Sequence, residues 1–430
     1  MRLFFISLFT LCYTLASAQI SQEATPPGIL YNLPEVKISQ TYNPDIDWDA
    51  VYEEDRHADK NGLPMRVGLS LPVSINLAGN NGQWHELSNG DMLWQMALSV
   101  SGANSVGLVF DSFHLAPNAE LYFYDRNRNL TIGAFTSDNN NTANVFSTQI
   151  LPGSEIVIEY IERKSAKQTA KNTLKDNTDE LFISKDDIAN YKPASNLNIS
   201  EISYIYADAY SVFDAAKPSP GASGDCQIDI NCSPAGDNWQ DQKRGVAHIL
   251  FREGSSWYVC TGSLVNNTNE DEKPYFLTAF HCGGDASSDD RLVWEFYFNF
   301  EKPSCGSGTA PQTDVLTGCE LVAKGLLDGG SDFQLLQLST AVPDNYNPYY
   351  NGWSRNTAAA TSGAGIHHPS GDVKKISTFS SSLTATGSIN IGGDVMASNS
   401  AWAVKWSENE NGWGVTEGGS SGSPIFNQNG

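Results

Sequence analysis

Apolar and β-branched residues come in short runs along most of the chain, separated by Gly, Asn and Pro. Leu93–Ser101, Ser105–Leu115, Ala119–Asp125, Leu130–Thr136, Glu155–Arg163 and Ile199–Ala207 each have the length and composition of a strand. Their spacing predicts an antiparallel β-sandwich over residues 67–210. Residues 19–66 are polar and read as irregular. Lys164–Glu180 is dense in Lys, Asn, Thr and Asp and reads as a solvated linker or loop. Lys217-Pro218-Ser219-Pro220-Gly221 marks a boundary, with a linker at 211–220. Short runs resume from Cys226, as at Gly245–Phe251, Tyr275–His281 and Leu292–Phe300, and no long helical period occurs. The second half, 221–430, is also all-β.

The N-terminus changes the picture. Arg2 precedes the apolar stretch Leu3–Leu15, and Ala16-Ser17-Ala18 has the form of a cleavage site, so residues 1–18 read as a secretory signal. That stretch is too short to span a bilayer, and no later run is long enough. Export permits disulfides. Once Cys12 leaves with the signal, the remaining six cysteines lie between Cys226 and Cys319. They suggest a stapled domain, with 15 pairings open from sequence alone. No C-x-x-C pair is present and the histidines lack ligand spacing, so no metal is expected, and a His, Asp, Ser triad such as the motifs below suggest requires no cofactor. A formal net charge of −23 disfavours nucleic acid as a partner.

Three motifs carry chemistry. Phe276-Leu277-Thr278-Ala279-Phe280-His281-Cys282 delivers a histidine at the end of a strand, as a positioned general base requires. Ser331-Asp332-Phe333 puts an acid at the head of an apolar strand, where it could orient that imidazole. Asp285, Asp289, Asp290 and Asp328 compete, but none directly leads such a strand. Gly418-Gly419-Ser420-Ser421-Gly422-Ser423-Pro424 surrounds a serine with small residues. There the N–H groups of Gly419 and Ser421 can turn toward an oxyanion. Each motif alone has an ordinary structural reading: a half-buried histidine, a turn aspartate, a Gly/Ser loop. Together they fall in the order His, Asp, Ser with gaps of 51 and 89 residues. The chymotrypsin order has gaps of about 45 and 93.

Residues from about Gly221 resemble the bacterial lysyl endopeptidases, a branch of the trypsin-like serine proteases. The likeness runs through Cys226–Cys232, Cys260–Asn267, the His281 motif, Ser331–Phe333, Ile366–Pro369, Val415–Glu417 and Gly419–Pro424. It implies a chymotrypsin-like double β-barrel and a triad of His281, Asp332 and Ser421. It also implies bridges Cys260–Cys282 and Cys232–Cys305, with Cys226 normally paired beyond the nucleophile. Val415 stands six positions before Ser421, where trypsin-like pockets carry Asp. The likeness instead assigns Thr416 and Glu417 to the substrate pocket and implies cleavage after Lys or Arg. The expected protein is a secreted zymogen acting on proteins or peptides, whose N-terminal half is a pro-region touching the protease half. Only nine residues follow Ser421, so the second barrel is expected to be incomplete. The rival readings are a non-catalytic secreted binding protein and a serine protease of different primary specificity.

Overall fold

The computed structural model describes residues 24–79, 81–164, 191–207, 223–311 and 313–430. The expected signal at 1–18, most of Lys164–Glu180 and the boundary at 211–220 lie outside the described residues.

In the N-terminal half the runs become β1 (Ile38–Tyr42), β2 (Met65–Asn76), β3 (Gln83–Glu86), β4 (Met92–Val100), β5 (Ser105–His114), β6 (Ala119–Asp125), β7 (Thr131–Phe135), β8 (Glu155–Glu162) and β9 (Asn196–Ile205). One sheet has the order β1-β4-β8-β6-β7, with β3 also on β4, and the other contains β2-β9-β5. Pairing is antiparallel except between β1 and β4. Between the sheets lies an apolar core that includes Leu98, Leu108, Phe110, Phe123, Ile158 and Ile202. Such burial is the main favourable contribution to a sandwich of this kind.

Residues 19–66 are not irregular throughout. Besides β1 they contain a 13-residue helix, α1 (Trp48–Lys60). Asp47 caps it by accepting the Ala50 N–H at 3.1 Å, and His57 and Lys60 sit in its last turn, where the helix dipole favours cations. Only Val51 of this helix is buried, so its apolar period is faint. Trp48 nevertheless packs on Tyr204 and Tyr206 at ring separations of 6.0 and 5.3 Å.

The second half holds β10 (Val246–Glu253), β11 (Ser256–Leu264), β12 (Tyr275–Thr278), β13 (Glu295–Tyr297), β14 (Val315–Thr317), β15 (Cys319–Gly325) and β16 (Phe333–Leu338). They pair in the order β14-β13-β10-β11-β12-β16-β15, all antiparallel. They wrap around Ile249, Cys260, Phe276, Trp294, Phe296 and Leu336. A smaller sheet combines Ile228–Asp229 with β18 (Lys375–Phe379), β17 (Gly363–His367) and β19 (Ile425–Asn427), in that order. Its core includes Ile230, Ala364, Ile366, Ile376 and Phe426. The molecule is all-β, as its runs implied.

The two halves do not part cleanly. β2 pairs antiparallel with β11, so one sheet runs from the sandwich into the first barrel. Val67, Val109, Ile150 and Ile205 from one half pack with Leu250, Trp257, Val259 and Tyr297 from the other. This explains why β10 is buried along nearly its whole length rather than on alternate residues.

Glu295 is buried at this junction. Its carboxylate accepts from Tyr297 and, at 3.3 Å, from Ser147 of the other half. Burial pushes its pKa up to about 8, against the favourable effect of those donors. Between the ordinary value of 4.5 and about 8, the folded state therefore holds a proton that the unfolded chain has lost. Its stabilising effect is complete below the unfolded pKa and is lost as pH rises toward about 8. Urea melts at several pH values should show this loss, and Glu295→Gln should flatten it and be the more stable form at pH 8. Parallel curves for the two proteins would contradict the assignment.

Candidate active site

Strand pairing brings the first two candidate residues together. β12 runs antiparallel to β16, with Thr278 opposite Gln334. The turn after β12 carries His281, and the residue leading β16 is Asp332, so the two meet at one end of the pair. Asp332 accepts the His281 backbone N–H at 2.9 Å through Oδ1, and its Oδ2 lies 2.7 Å from His281 Nδ1. Both side chains are about nine-tenths buried. A carboxylate facing Nδ1 keeps the proton on that nitrogen, which leaves Nε2 as the acceptor. Nε2 is buried and has no hydrogen-bond partner among the described residues. Asp332 sits at φ +52°, a region where Asp is one of the tolerated residues.

Sequence reading missed Gln334. Fully buried, it donates from Nε2 to the carbonyls of Ala279 and Cys282, at 3.0 and 2.7 Å. It thus clamps the turn on both sides of His281. Its position after Asp332, on the inward face of an alternating strand, was the available signal.

The Ser421 loop is attached through Thr261. The Thr261 N–H donates to the Ser421 carbonyl at 2.8 Å, and its hydroxyl donates to the Gly419 carbonyl at 2.8 Å. Thr261 follows Cys260, which is bridged to Cys282, the neighbour of His281. The disulfide therefore joins the strand that holds the serine loop to the turn that holds the histidine. The Cys282 sulfur lies 3.6 Å from the Ser421 carbonyl oxygen. Gly422 is required here: at φ +81°, a Cβ would stand 2.4 Å from the Thr261 carbonyl oxygen. Gly419 also has positive φ, +87°. Among the described residues no protein acceptor takes the N–H of Gly419 or Ser421. Ser421 Oγ likewise has no hydrogen bond among them, and the Nε2–Oγ contact of a closed triad is not formed. In unliganded sites such contacts are often long.

The two adjacent serines differ in environment. Ser420 is 4% exposed, and its Oγ accepts the Glu417 N–H at 3.1 Å and lies 2.8 Å from His367 Nδ1. Ser421 is only partly buried. His367 continues to Ser377 Oγ at 2.9 Å, and burial, then Lys375, holds its pKa down to about 3. His368 N–H donates to Thr261 Oγ1 at 3.0 Å, and burial lowers its pKa too. Both histidines brace the loop as neutral groups.

Thr416 is exposed. Glu417 is surrounded by donors: Gln227 Nε2 at 2.7 Å, Ser370 Oγ at 3.0 Å and the Gly224 N–H at 3.2 Å. Its carboxylate ties the start of the second half to the serine loop. Glu417→Gln should therefore lower thermal stability along with any change in preference, since it weakens three charge-assisted bonds at once. Equal melting temperatures for the two forms would show that these contacts carry no weight. The implied bridges Cys260–Cys282 and Cys232–Cys305 both form, while Cys226 is an exposed thiol and Cys319 a buried one. Among the described residues no group of His, Cys, Asp and Glu has the arrangement of a metal site.

Residues 220–430 match the model of the lysyl endopeptidase C-terminal domain. This half belongs to the lysyl endopeptidase branch of the trypsin-like serine proteases. The lysyl endopeptidase of Pseudomonas aeruginosa is 32% identical over 247 residues, covering 55% of this chain and 49% of that protein. The chain thus spans about half the length of this curated relative. Among solved structures, the Rv3671c protease in its inactive form overlays with a TM-score of 0.29 at 13% identity, over 46% of this chain and 79% of that one. A thermostable serine protease from an extremophilic microorganism gives 0.26 at 15% identity, over 44% and 80%. Overlays at these scores carry no weight for the lysyl endopeptidase domain, whose fold rests on its own strand order.

Proposed function

We propose that the lysyl endopeptidase domain is the catalytic part of a secreted serine endopeptidase that cleaves after lysine. Export rests on the signal-like residues 1–18. The observation that carries the activity is the His281–Asp332 pair, held beside Ser421 by the Cys260–Cys282 bridge and Thr261. In this reading His281 Nε2 takes the Ser421 hydroxyl proton as Oγ attacks the scissile carbonyl. Asp332 stabilises the resulting imidazolium. The N–H groups of Gly419 and Ser421 bind the oxyanion. His281 then returns its proton to the leaving amine, giving an acyl-enzyme, and water attacks that ester with His281 again as base.

Residues 19–220 act as a pro-region, and the β2–β11 pairing and the shared core support this role. Lysine preference rests on the family rather than on a free acid, because Glu417 already has three partners. The test is a peptide panel varied at the residue before the scissile bond, run on the full-length processed protein. Lys ahead of Arg is expected, and preference for aromatic or small residues would contradict the specificity.

A further inference from the structure

The tip of β2 reaches the serine loop. Met65 pairs with Val259 and Arg66 with Tyr258, on the outer edge of β11. From Gly68 onward β2 also pairs with β9, but the tip pairs with β11 alone. Two residues past Val259 on the same strand, Thr261 holds the Ser421 carbonyl. Met65 therefore lies within about 7 Å along the strand of the residue that anchors the serine. It also lies against the serine loop itself, since a Cβ on Gly418 would stand 3.4 Å from Met65 Cβ and 3.9 Å from its sulfur.

The chain before the tip stays on the protease half. A Cβ on Gly392 would meet Leu63 Cδ2 at 2.5 Å, and the Gly392 N–H donates to the Asn61 carbonyl at 2.9 Å. Segment 61–66 thus touches three separate parts of that half: the β11 edge, the serine loop and the loop at 391–392. α1 pins it there. Arg66 lies 2.8 Å from both Asp55 Oδ1 and Glu54 Oε2, and donates to the Val51 carbonyl at 2.9 Å.

We propose that Leu63–Arg66 is a built-in strand plug, which fills the β11 edge beside Ser421 and competes there with any extended peptide. The proposal rests on the endopeptidase reading and names the segment through which the N-terminal half would act. Backbone pairing on a sheet edge recognises an extended peptide largely independently of its sequence, so this edge suits a polypeptide and equally suits the chain's own strand. The plug is poorly cleavable by a lysine-directed enzyme. Leu63–Arg66 contains no lysine, and Pro64 fixes φ and lacks an N–H.

The test uses the 430-residue chain with Ser421→Ala, so that binding is read without turnover. A fluorescein-labelled peptide of residues 61–72 is titrated by anisotropy into this protein and into the same protein carrying Arg66→Ala or Met65→Pro. Arg66→Ala releases the tip from α1 and keeps every backbone N–H and carbonyl of the tip. Met65→Pro removes the Met65 N–H and restricts the backbone at the tip.

A tethered strand competes at an effective concentration of about 1 mM, so the parent should bind weakly and the variants about tenfold more tightly or better. In chains retaining Ser421, the same two substitutions should speed fluorophosphonate labelling by about the same factor. Equal peptide affinity in parent and folded variants, shown by unchanged circular dichroism, would overturn the plug. Tighter peptide binding without any labelling would keep the plug and sink the endopeptidase reading, so the two failures are distinct.

Discussion

Replacing His281 or Ser421 by alanine is expected to abolish nearly all peptidase activity, by a factor on the order of 10^4 to 10^6 in kcat. The double substitution should cost little more than either single one. Without Nε2 as acceptor the Ser421 hydroxyl keeps its proton, and without the hydroxyl the imidazole has nothing to deprotonate. In the proposed mechanism the two act as a unit, so their effects should not add. The measurement is kcat and KM for a lysyl amide substrate on processed protein. KM should change far less than kcat, because neither group is required for ground-state binding. Single variants whose losses multiply in the double variant would mean that the two residues work independently. Circular dichroism of each variant separates lost chemistry from lost fold.

Asp332→Asn should lower kcat by about 10^4 at neutral pH while leaving the fold intact. Asp332 accepts twice, from the His281 backbone N–H at 2.9 Å and from the ring at Nδ1, 2.7 Å away. An asparagine that keeps the backbone bond through its oxygen turns its amide donor toward Nδ1. That donor stabilises the tautomer with the proton on Nε2, which cannot serve as base toward Ser421. Burial of both side chains to about nine-tenths leaves little room for water to rescue the pair. The expected signature is a rate that recovers at high pH, where hydroxide replaces the lost base, with KM nearly unchanged. A loss below tenfold would show that Asp332 is not the orienting acid.

Much of the site was legible because its chemistry depends on residue type at strand ends. A histidine beside a cysteine, an aspartate heading an apolar strand and a serine among glycines are visible without coordinates. The attachments were not legible. Thr261 serves the loop mainly through its own N–H and a hydroxyl, and any residue offers the former. Gln334 differs from other buried polar residues only in where its amide points. The motif marks Glu417 as a pocket acid, but nothing in the sequence signals that its carboxylate also accepts from Gly224 and Gln227, nearly two hundred residues earlier. α1 escaped because its sequence is charged on almost every side, although Asp47 at its head was a usable cap signal. The continuity of β2 with β11 was beyond reach for a physical reason. Ladder bonds form between backbone groups, and strand registry over such a separation leaves little trace in composition.

Treating full-length, processed protein with a fluorophosphonate probe and mapping the adduct by mass spectrometry identifies the nucleophile directly. Ser420 Oγ is buried in a pair with His367, while Ser421 Oγ has no partner among the described residues. One adduct is expected, on Ser421, and none in His281→Ala. An adduct on Ser420, or no adduct on a folded protein, would contradict it.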